Sequence, residues 1–155
     1  MSEIFRRILV AVAGYTDPAT GKTDGMLETI MERNIRYACD LAKHRGSKLT
    51  LIHIVAFPSM VEPGLVIDPK PFEDLGRKIL ENAKKIAKGM GVEAETILET
   101  TFGNPAHKII QAAEQGKFDV ITISSRGHSL IRDLLLGSVC EVVVRNAPCP
   151  VLVVR

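Results

Sequence analysis

The chain has 155 residues, of which 46% are hydrophobic and 25% are charged, and its formal net charge at neutral pH is +2. This length and composition suit one packed domain over residues 1–155, and the small net charge with scattered Lys and Arg argues against nucleic-acid binding. The apolar runs are far shorter than the roughly 20 residues of a membrane-spanning helix, and the charged start SEIFRR lacks a signal peptide's apolar stretch, so we expect a cytoplasmic protein without a membrane partner.

The apolar pattern predicts strands that alternate with helices. Buried β-branched runs predict strands, and apolar residues spaced three and four apart predict amphipathic helices. The expected strands are Arg7 to Ala13, Leu49 to Val55, Val92 to Glu99, Phe118 to Ser124 and Val151 to Val154. The expected helices are Met26 to Arg45 before Gly46, Phe72 to Met90, Asn104 to Gln115 with Asn104 as cap, and Val139 to Ala147. This alternation is typical of an α/β fold in which helices cover both faces of a parallel sheet.

The segment VITISSRGHSLIRDLLLGSV, from Val120 to Val139, carries the strongest functional signal. An apolar strand runs into a turn at Gly127, and after nine further residues Gly137 and Ser138 stand at a helix start. Gly127 permits positive φ, Gly137 permits close backbone approach, and Ser138 is expected to cap the helix, leaving first-turn N–H groups to face an anion. The pattern indicates phosphate binding, although the same residues also make ordinary strand–loop–helix connections.

These residues resemble the nucleotide-binding signature of the universal stress protein superfamily, which reads G-x-x-G, nine residues, G-(S/T). The segments FRRILVAVAG, KLTLIHIV and VCEVVVRNAPCPVLVVR resemble the first strand, second strand and final helix and strand of that family. The resemblance implies an open, doubly wound, five-stranded parallel sheet in the order 3-2-1-4-5 and a homodimer formed through the C-terminal edge strand. In that order the winding reverses between strands one and four, so a ligand crevice is expected beyond their carboxyl ends.

The resemblance also implies an adenine nucleotide, ATP or AMP, with or without Mg²⁺, held mostly by backbone groups. The residues that it places around the adenine are Ala11, Val12, Ala13 and Ile54. Those that it places around the ribose and phosphates are Ser125, Gly127, His128, Gly137, Ser138 and Val139. His128 is in a position to donate a hydrogen bond to phosphate, with Arg126 and Arg132 adding positive charge, or these three are solvent-facing loop residues.

Two positions depart from the family pattern. Ser124 stands where the signature has its first glycine, and its Cβ restricts φ. Many nucleotide-binding members carry an aspartate at the end of the first strand, whereas Ala13 has no side-chain acceptor. Either Asp17 or Asp24 in the following loop replaces that carboxylate, or the loop is an ordinary solvated surface.

No catalytic or metal constellation stands out. The four histidines, at 44, 53, 107 and 128, share no ligand or triad spacing, and His53 is expected to be packed within its apolar strand. Cys39, Cys140 and Cys149 form no CxxC pair and are expected to be core or near-core thiols.

Three functions remain open from the sequence. The first is an adenine-nucleotide-binding regulatory or stress-response dimer with at most slow ATP hydrolysis, since no general base is evident. The second is a nucleotide-free dimer that acts as a protein-interaction module, which Ser124 and Ala13 favour. The third is a small-molecule enzyme on the same scaffold, because a fold does not fix a function.

Overall fold

A computed structural model of the chain describes residues 4–14, 25–57, 63–125 and 137–155. Within these ranges five strands alternate with four helices. The strands are β1 (Arg7–Ala11), β2 (Lys48–Ala56), β3 (Ala94–Thr101), β4 (Val120–Ser124) and β5 (Val151–Val154). The helices are α1 (Gly25–Arg45), α2 (Lys70–Gly89), α3 (Pro105–Gln115) and α4 (Ser138–Asn146).

The strands form one parallel sheet in the order β3-β2-β1-β4-β5, which confirms the predicted fold class and strand order. The central strand β1 pairs with β2 on one side, where Ala11 lies opposite Ile52. On its other side β1 pairs with β4, where Val10 lies opposite Thr122. Strands β3 and β5 form the two edges.

Side chains of β1 alternate between two apolar cores, one on each face of the sheet. Ile8 and Val10 belong to the core beneath α1 and α2, whereas Leu9 and Ala11 belong to the core beneath α3 and α4. Complete burial of an Ile or Leu side chain contributes roughly 1.5 to 3 kcal/mol, so this central strand anchors both layers.

Two strands begin later than the sequence predicts, because the first residues of each predicted strand are bonded to the end of the preceding helix. The Val92 N–H donates to Ala87 O at 3.0 Å and closes the end of α2, so β3 starts at Ala94. The Phe118 N–H likewise donates to Ala113 O at 3.0 Å and closes the end of α3, so β4 starts at Val120.

Two predicted helix ends, the start of α3 and the end of α1, are marked accurately by their capping residues. Asn104 caps α3, since its Oδ1 accepts from the Ala106 N–H at 2.9 Å. Gly46 follows α1 with φ of +67°, the left-handed conformation of a glycine stop. Strand β5 has the predicted bounds. In contrast, β1 ends at Ala11 rather than Ala13, because the sheet divides at that point.

Glycine at position 76 lets α2 approach the sheet closely. A Cβ at Gly76 would lie 2.8 Å from Leu98 Cδ1 and 2.8 Å from Val55 Cγ2, well inside van der Waals contact. Gly89, the last residue of the same helix, has no such neighbour within 4 Å.

We therefore expect Gly76→Ala to destabilise the protein and Gly89→Ala to leave its stability unchanged or raise it. Alanine improves helix propensity by about 1 kcal/mol at an unhindered site, but overpacking at Gly76 costs about 1 to 3 kcal/mol. Urea unfolding of both variants measures the difference. Equal stabilisation by the two substitutions would show that α2 moves away from the sheet without penalty.

Candidate functional site

Strands β1 and β4 separate at their carboxyl ends, and this division creates the site. Their pairing ends with Val10 opposite Thr122. Beyond that pair β1 continues beside β2 as far as Ala11, whereas β4 continues beside β5 as far as Ser124. A crevice at such a switch point is the usual ligand site of an open α/β sheet. We refer to this division between β1 and β4 as the fork.

A cavity of about 430 Å³ lies at the fork. Its walls combine the exit of β1, the end of β2, the end of β4 and the first turn of α4 with inward-facing residues of α1, α2 and α3. The lining residues are Ala11, Val12, Ala13, Gly14, Leu27, Ile52, His53, Ile54, Val55, Ala56, Phe72, Leu75, Gly76, Ile79, Pro105, Ile109, Ile123, Ser124, Gly137, Ser138, Val139 and Cys140. The volume is within the range of small-molecule pockets.

Eight of the eleven residues singled out in the sequence line this cavity. They are Ala11, Val12, Ala13, Ile54, Ser124, Gly137, Ser138 and Val139. Ser125 is buried beside the cavity without lining it: its N–H donates to Val154 O at 2.9 Å, and its carbonyl accepts from the Gly137 N–H at 2.6 Å. Gly127 and His128 lie outside the described residues, as do Arg126, Arg132, Asp17 and Asp24.

The first turn of α4 forms one edge of the cavity, but its cap differs from the prediction. Ser138 was expected to be the capping residue, and this is wrong: Gly137 holds the cap position with extended φ and ψ of −66° and 159°, and makes no side-chain capping bond. The helix begins one residue earlier than predicted because the Glu141 N–H donates to Gly137 O at 2.9 Å. Ser138, Val139 and Cys140 are thus the first three helical residues, whose N–H groups have no partner within the helix.

Ser124 does not strain the backbone at the position of the missing glycine. It is the last residue of β4, paired with Val154, and it is not among the residues with positive φ. An extended strand accepts any L-residue, so the restriction that Cβ places on φ has no consequence here.

The cavity wall is apolar over most of its described extent. No Asp, Glu, Lys or Arg occurs among the described lining residues, and the polar side chains there are those of His53, Ser124 and Ser138. Ala13 contributes only a methyl group. The described wall therefore suits a ligand with a flat, apolar surface, while Ser124 and Ser138 place two polar side chains where the end of β4 and the start of α4 lie.

His53 is buried in β2, as predicted, and its ring has a defined orientation. Its Nδ1 lies 2.9 Å from Val12 O. A carbonyl oxygen only accepts hydrogen bonds, so Nδ1 carries a proton and donates. This bond joins β2 to the exit of β1, next to the cavity.

Sequence reasoning missed the side of the cavity formed by α2. A Cβ at Gly14 would lie 2.9 Å from Ile79 Cγ2, so the β1 exit and α2 are in close contact there. The signal was Gly76, a glycine inside an otherwise regular amphipathic helix, which often marks close packing. Phe72, Leu75 and Ile79 of α2 also line the cavity.

Burial raises the pKa of the Cys140 thiol from 9.0 to about 11. The thiol is therefore neutral at physiological pH, and it contributes to the wall as a small apolar group rather than as a nucleophile. Burial also raises the pKa of Cys39 and Cys149. All three are in core or near-core positions, as predicted.

The raised pKa of Cys140 gives a pH dependence of stability. Above pH 9.0 the thiol of the unfolded chain loses its proton, whereas the thiol of the folded protein keeps its proton up to about pH 11. The contribution of the neutral thiol to the free energy of unfolding is therefore complete below pH 9.0 and is lost as the pH rises from 9.0 to about 11. Cys140→Ala should show a smaller fall in the free energy of unfolding across the window than the wild type, measured by urea titration at several pH values. Parallel curves would place the ionised thiol in contact with water.

The described residues contain no group of three or more His, Cys, Asp or Glu side chains able to hold a metal ion. In the same ranges, no helix is long and apolar enough to cross a membrane.

Comparison with known proteins identifies relatives over the full length of the chain. The family model described as "Universal stress protein family" matches residues 29–155. Universal stress protein YxiE of Bacillus subtilis is 34% identical over 98% of this chain and 100% of its own length.

Solved structures share the fold. Universal stress protein UspA from Lactobacillus plantarum has a TM-score of 0.75 at 22% identity, covering 99% of this chain and 100% of that one. The universal stress protein from Archaeoglobus fulgidus in complex with dAMP has a TM-score of 0.66 at 26% identity, covering 98% of this chain and 99% of that one.

Proposed function

The chain belongs to the universal stress protein family, and we propose that it binds an adenine nucleotide, AMP or ATP, at the fork and acts as a regulatory or stress-response dimer. The observation that supports this most is the meeting of an apolar cavity of about 430 Å³ with the first turn of α4. An adenine base needs an apolar surface and a phosphate needs hydrogen-bond donors, and this cavity has both. The dAMP complex of the Archaeoglobus fulgidus relative adds support from a related chain.

The adenine occupies the apolar wall in this proposal. Val12 and Ile54 are buried and line the cavity, so they can cover the faces of a flat ring. Ala13 is partly exposed and brings no side-chain acceptor, so hydrogen bonds to the base and ribose come from backbone groups. Recognition of this kind depends on the exact course of the β1 exit.

The phosphates lie at the amino end of α4. The first-turn N–H groups and the positive end of the helix dipole favour an anion there. Ser138 is exposed at this end and lines the cavity, so its hydroxyl can donate to a phosphate oxygen. Any Mg²⁺ would accompany the phosphates of ATP rather than bind the apolar wall.

The direct test is to denature freshly purified protein, identify released small molecules by mass spectrometry, and titrate ATP, AMP and adenosine into stripped protein by calorimetry. Stoichiometric adenine nucleotide, or saturable heat, is the expected result. Empty protein that also gives no heat up to about 1 mM ligand, the weak end of specific affinity, would overturn the proposal.

Ser138→Glu, with Ser138→Gln as matched control, tests where the phosphates lie. A carboxylate in the first turn suits the helix dipole, so the fold should persist, but it repels a bound anion. We expect Ser138→Glu to weaken ATP binding by about tenfold or more, Ser138→Gln to weaken it much less, and adenosine binding to change little in either variant. Equal affinity of the wild type and Ser138→Glu for ATP would show that the phosphates do not lie at the amino end of α4.

A nucleotide-free dimer that acts as a protein-interaction module is the second candidate. It is favoured by the lack of charged side chains in the described cavity wall and by the methyl group at Ala13. The released-ligand experiment separates the two candidates, since this one requires an empty protein that refuses nucleotide while it retains its dimer.

The dimer in this proposal forms through β5. The Ile121 N–H donates to Pro150 O, and the Ser125 N–H donates to Val154 O. The backbone groups of the even-numbered residues of β5 therefore face β4. The backbone groups of Val151 and Val153 therefore face away from the sheet. The side chain of Leu152, 39% exposed, adds apolar surface at this edge. Unpaired backbone beside apolar side chains is a template for strand pairing.

Val153→Pro is expected to convert the dimer into monomers without loss of the fold. Proline removes an N–H that faces outward and spares the bonds to β4. Light scattering after size exclusion measures the mass, and circular dichroism checks the fold. A folded variant that remains dimeric would assign the interface to another surface.

A further inference from the structure

We propose that Asn34 of α1 is a positioning residue for the nucleotide site: its buried amide fixes the exit of β1 and the end of β4 where the two strands divide. The inference rests on the proposed binding of an adenine nucleotide at the fork. It concerns a side chain that does not itself line the cavity.

The amide of Asn34 bridges the two strands just where their own pairing stops. Its Nδ2 donates to Ala11 O at 3.1 Å and lies 3.5 Å from Thr122 O. Both neighbours are carbonyl oxygens, so the NH₂ end of the amide faces them. The β1–β4 pairing ends with Val10 opposite Thr122, and Asn34 continues the connection from beneath. The residue is 1% exposed.

The bridged residues lead directly into the two walls of the cavity. Ala11 lines the cavity, and Val12 and Ala13, which follow it, have left the sheet and line it as well. Thr122 lies two residues before Ser124, which lines the opposite wall. One side chain therefore sets the distance between the surface proposed for the base and the strand that leads towards the phosphates.

His53 holds the same exit from the other side. Its Nδ1–H donates to Val12 O at 2.9 Å, and the Val12 N–H donates to Ile52 O at 2.8 Å. Through these bonds β2 fixes Val12, but only Asn34 among these donors connects the exit to β4. Removing Asn34 should therefore widen the fork and let the β1 exit beyond Ala11 open more often, while the β1–β2 pairing up to Ala11 stays in place.

Stability alone does not explain an asparagine at this position. Its Oδ1 has no hydrogen-bond partner among the described residues, and neither does the Thr122 Oγ1, which is 0% exposed. Buried polar atoms without partners lower stability, so the unpartnered Oδ1 offsets part of the stability that the bond from Nδ2 to Ala11 O contributes. The amide is then better explained by the geometry that it imposes on the two carbonyls.

The test compares Asn34→Leu, which keeps the size and removes the donor, with Cys39→Ala in the same buried face of α1. Cys39 is 0% exposed and lies in the core beneath α1 and α2, away from the cavity lining. Calorimetry with AMP measures affinity, thermal unfolding measures stability, and amide hydrogen exchange of the ligand-free protein measures opening at Val12 and Ala13. A second variant, Asn34→Ala, is used if Asn34→Leu does not fold.

We expect the Asn34 variant to bind AMP about tenfold or more weakly and to exchange faster at Val12 and Ala13, with a change in unfolding temperature no larger than that of Cys39→Ala. Unchanged affinity, or affinity lost only in proportion to stability in both variants, would overturn the inference. Wild-type protein that binds no adenine nucleotide would overturn the proposed function instead. Unchanged exchange at the β1 exit would then overturn the role of Asn34 independently.

Discussion

The rest of the molecule depends on one constraint. A strand has two hydrogen-bonding edges, and β1 pairs along one edge with β2 and along the other with β4, two strands that move apart at their carboxyl ends. It stays with β2 to Ala11 and with β4 only to Val10. Beyond these pairs the backbone groups facing the gap must find other partners or a ligand. Asn34 supplies a donor to Ala11 O from below, while His53 holds Val12 O on the β2 side. The cavity is thus a consequence of the winding of the sheet, refined by two side chains.

The close approach of α2 determines the character of that cavity. Glycines at 14 and 76 bring the helix against the β1 exit and the neighbouring strands. Phe72, Leu75 and Ile79 then form an apolar wall that the sheet alone would not provide. Because the carboxyl ends of all strands lie at one edge, this wall and the amino end of α4 belong to the same crevice. An apolar surface and an anion-favouring helix end are in this way joined without a charged side chain in the described lining.

Much of the fold was predictable because periodicity and capping are local signals. Val151 to Val154 and the Asn104 cap were predicted correctly, and so was the strand order, which the family resemblance implies. The end of β1 was not predicted correctly, because Val12 and Ala13 continue the apolar pattern although β4 no longer pairs with β1 there. Ser138 was predicted to be the cap because serine favours that position, but Gly137 is the residue with the extended backbone conformation of a cap.

The candidate site was predictable only where it follows a motif. Ala11 to Ala13 and Gly137 to Val139 were named from resemblance and line the cavity. The α2 side was missed, because contact between a helix and a strand exit depends on packing in three dimensions. Asn34 was missed for the same reason: a polar residue within an amphipathic helix looks exposed until the helix is placed over the fork.

The two edges of the sheet differ in a way that bears on how large an assembly can become. The β3 edge carries Glu95, which is exposed, and Glu99, whose carboxylate lies 3.9 Å from Lys108 Nζ. Charged side chains on an edge strand discourage further strand addition, whereas β5 presents valine and leucine. Two copies that pair through β5 around a two-fold axis turn both β3 edges outward. In the proposed dimer the combined sheet would therefore end at ten strands, because the charged side chains of β3 discourage further strand pairing at both of its edges.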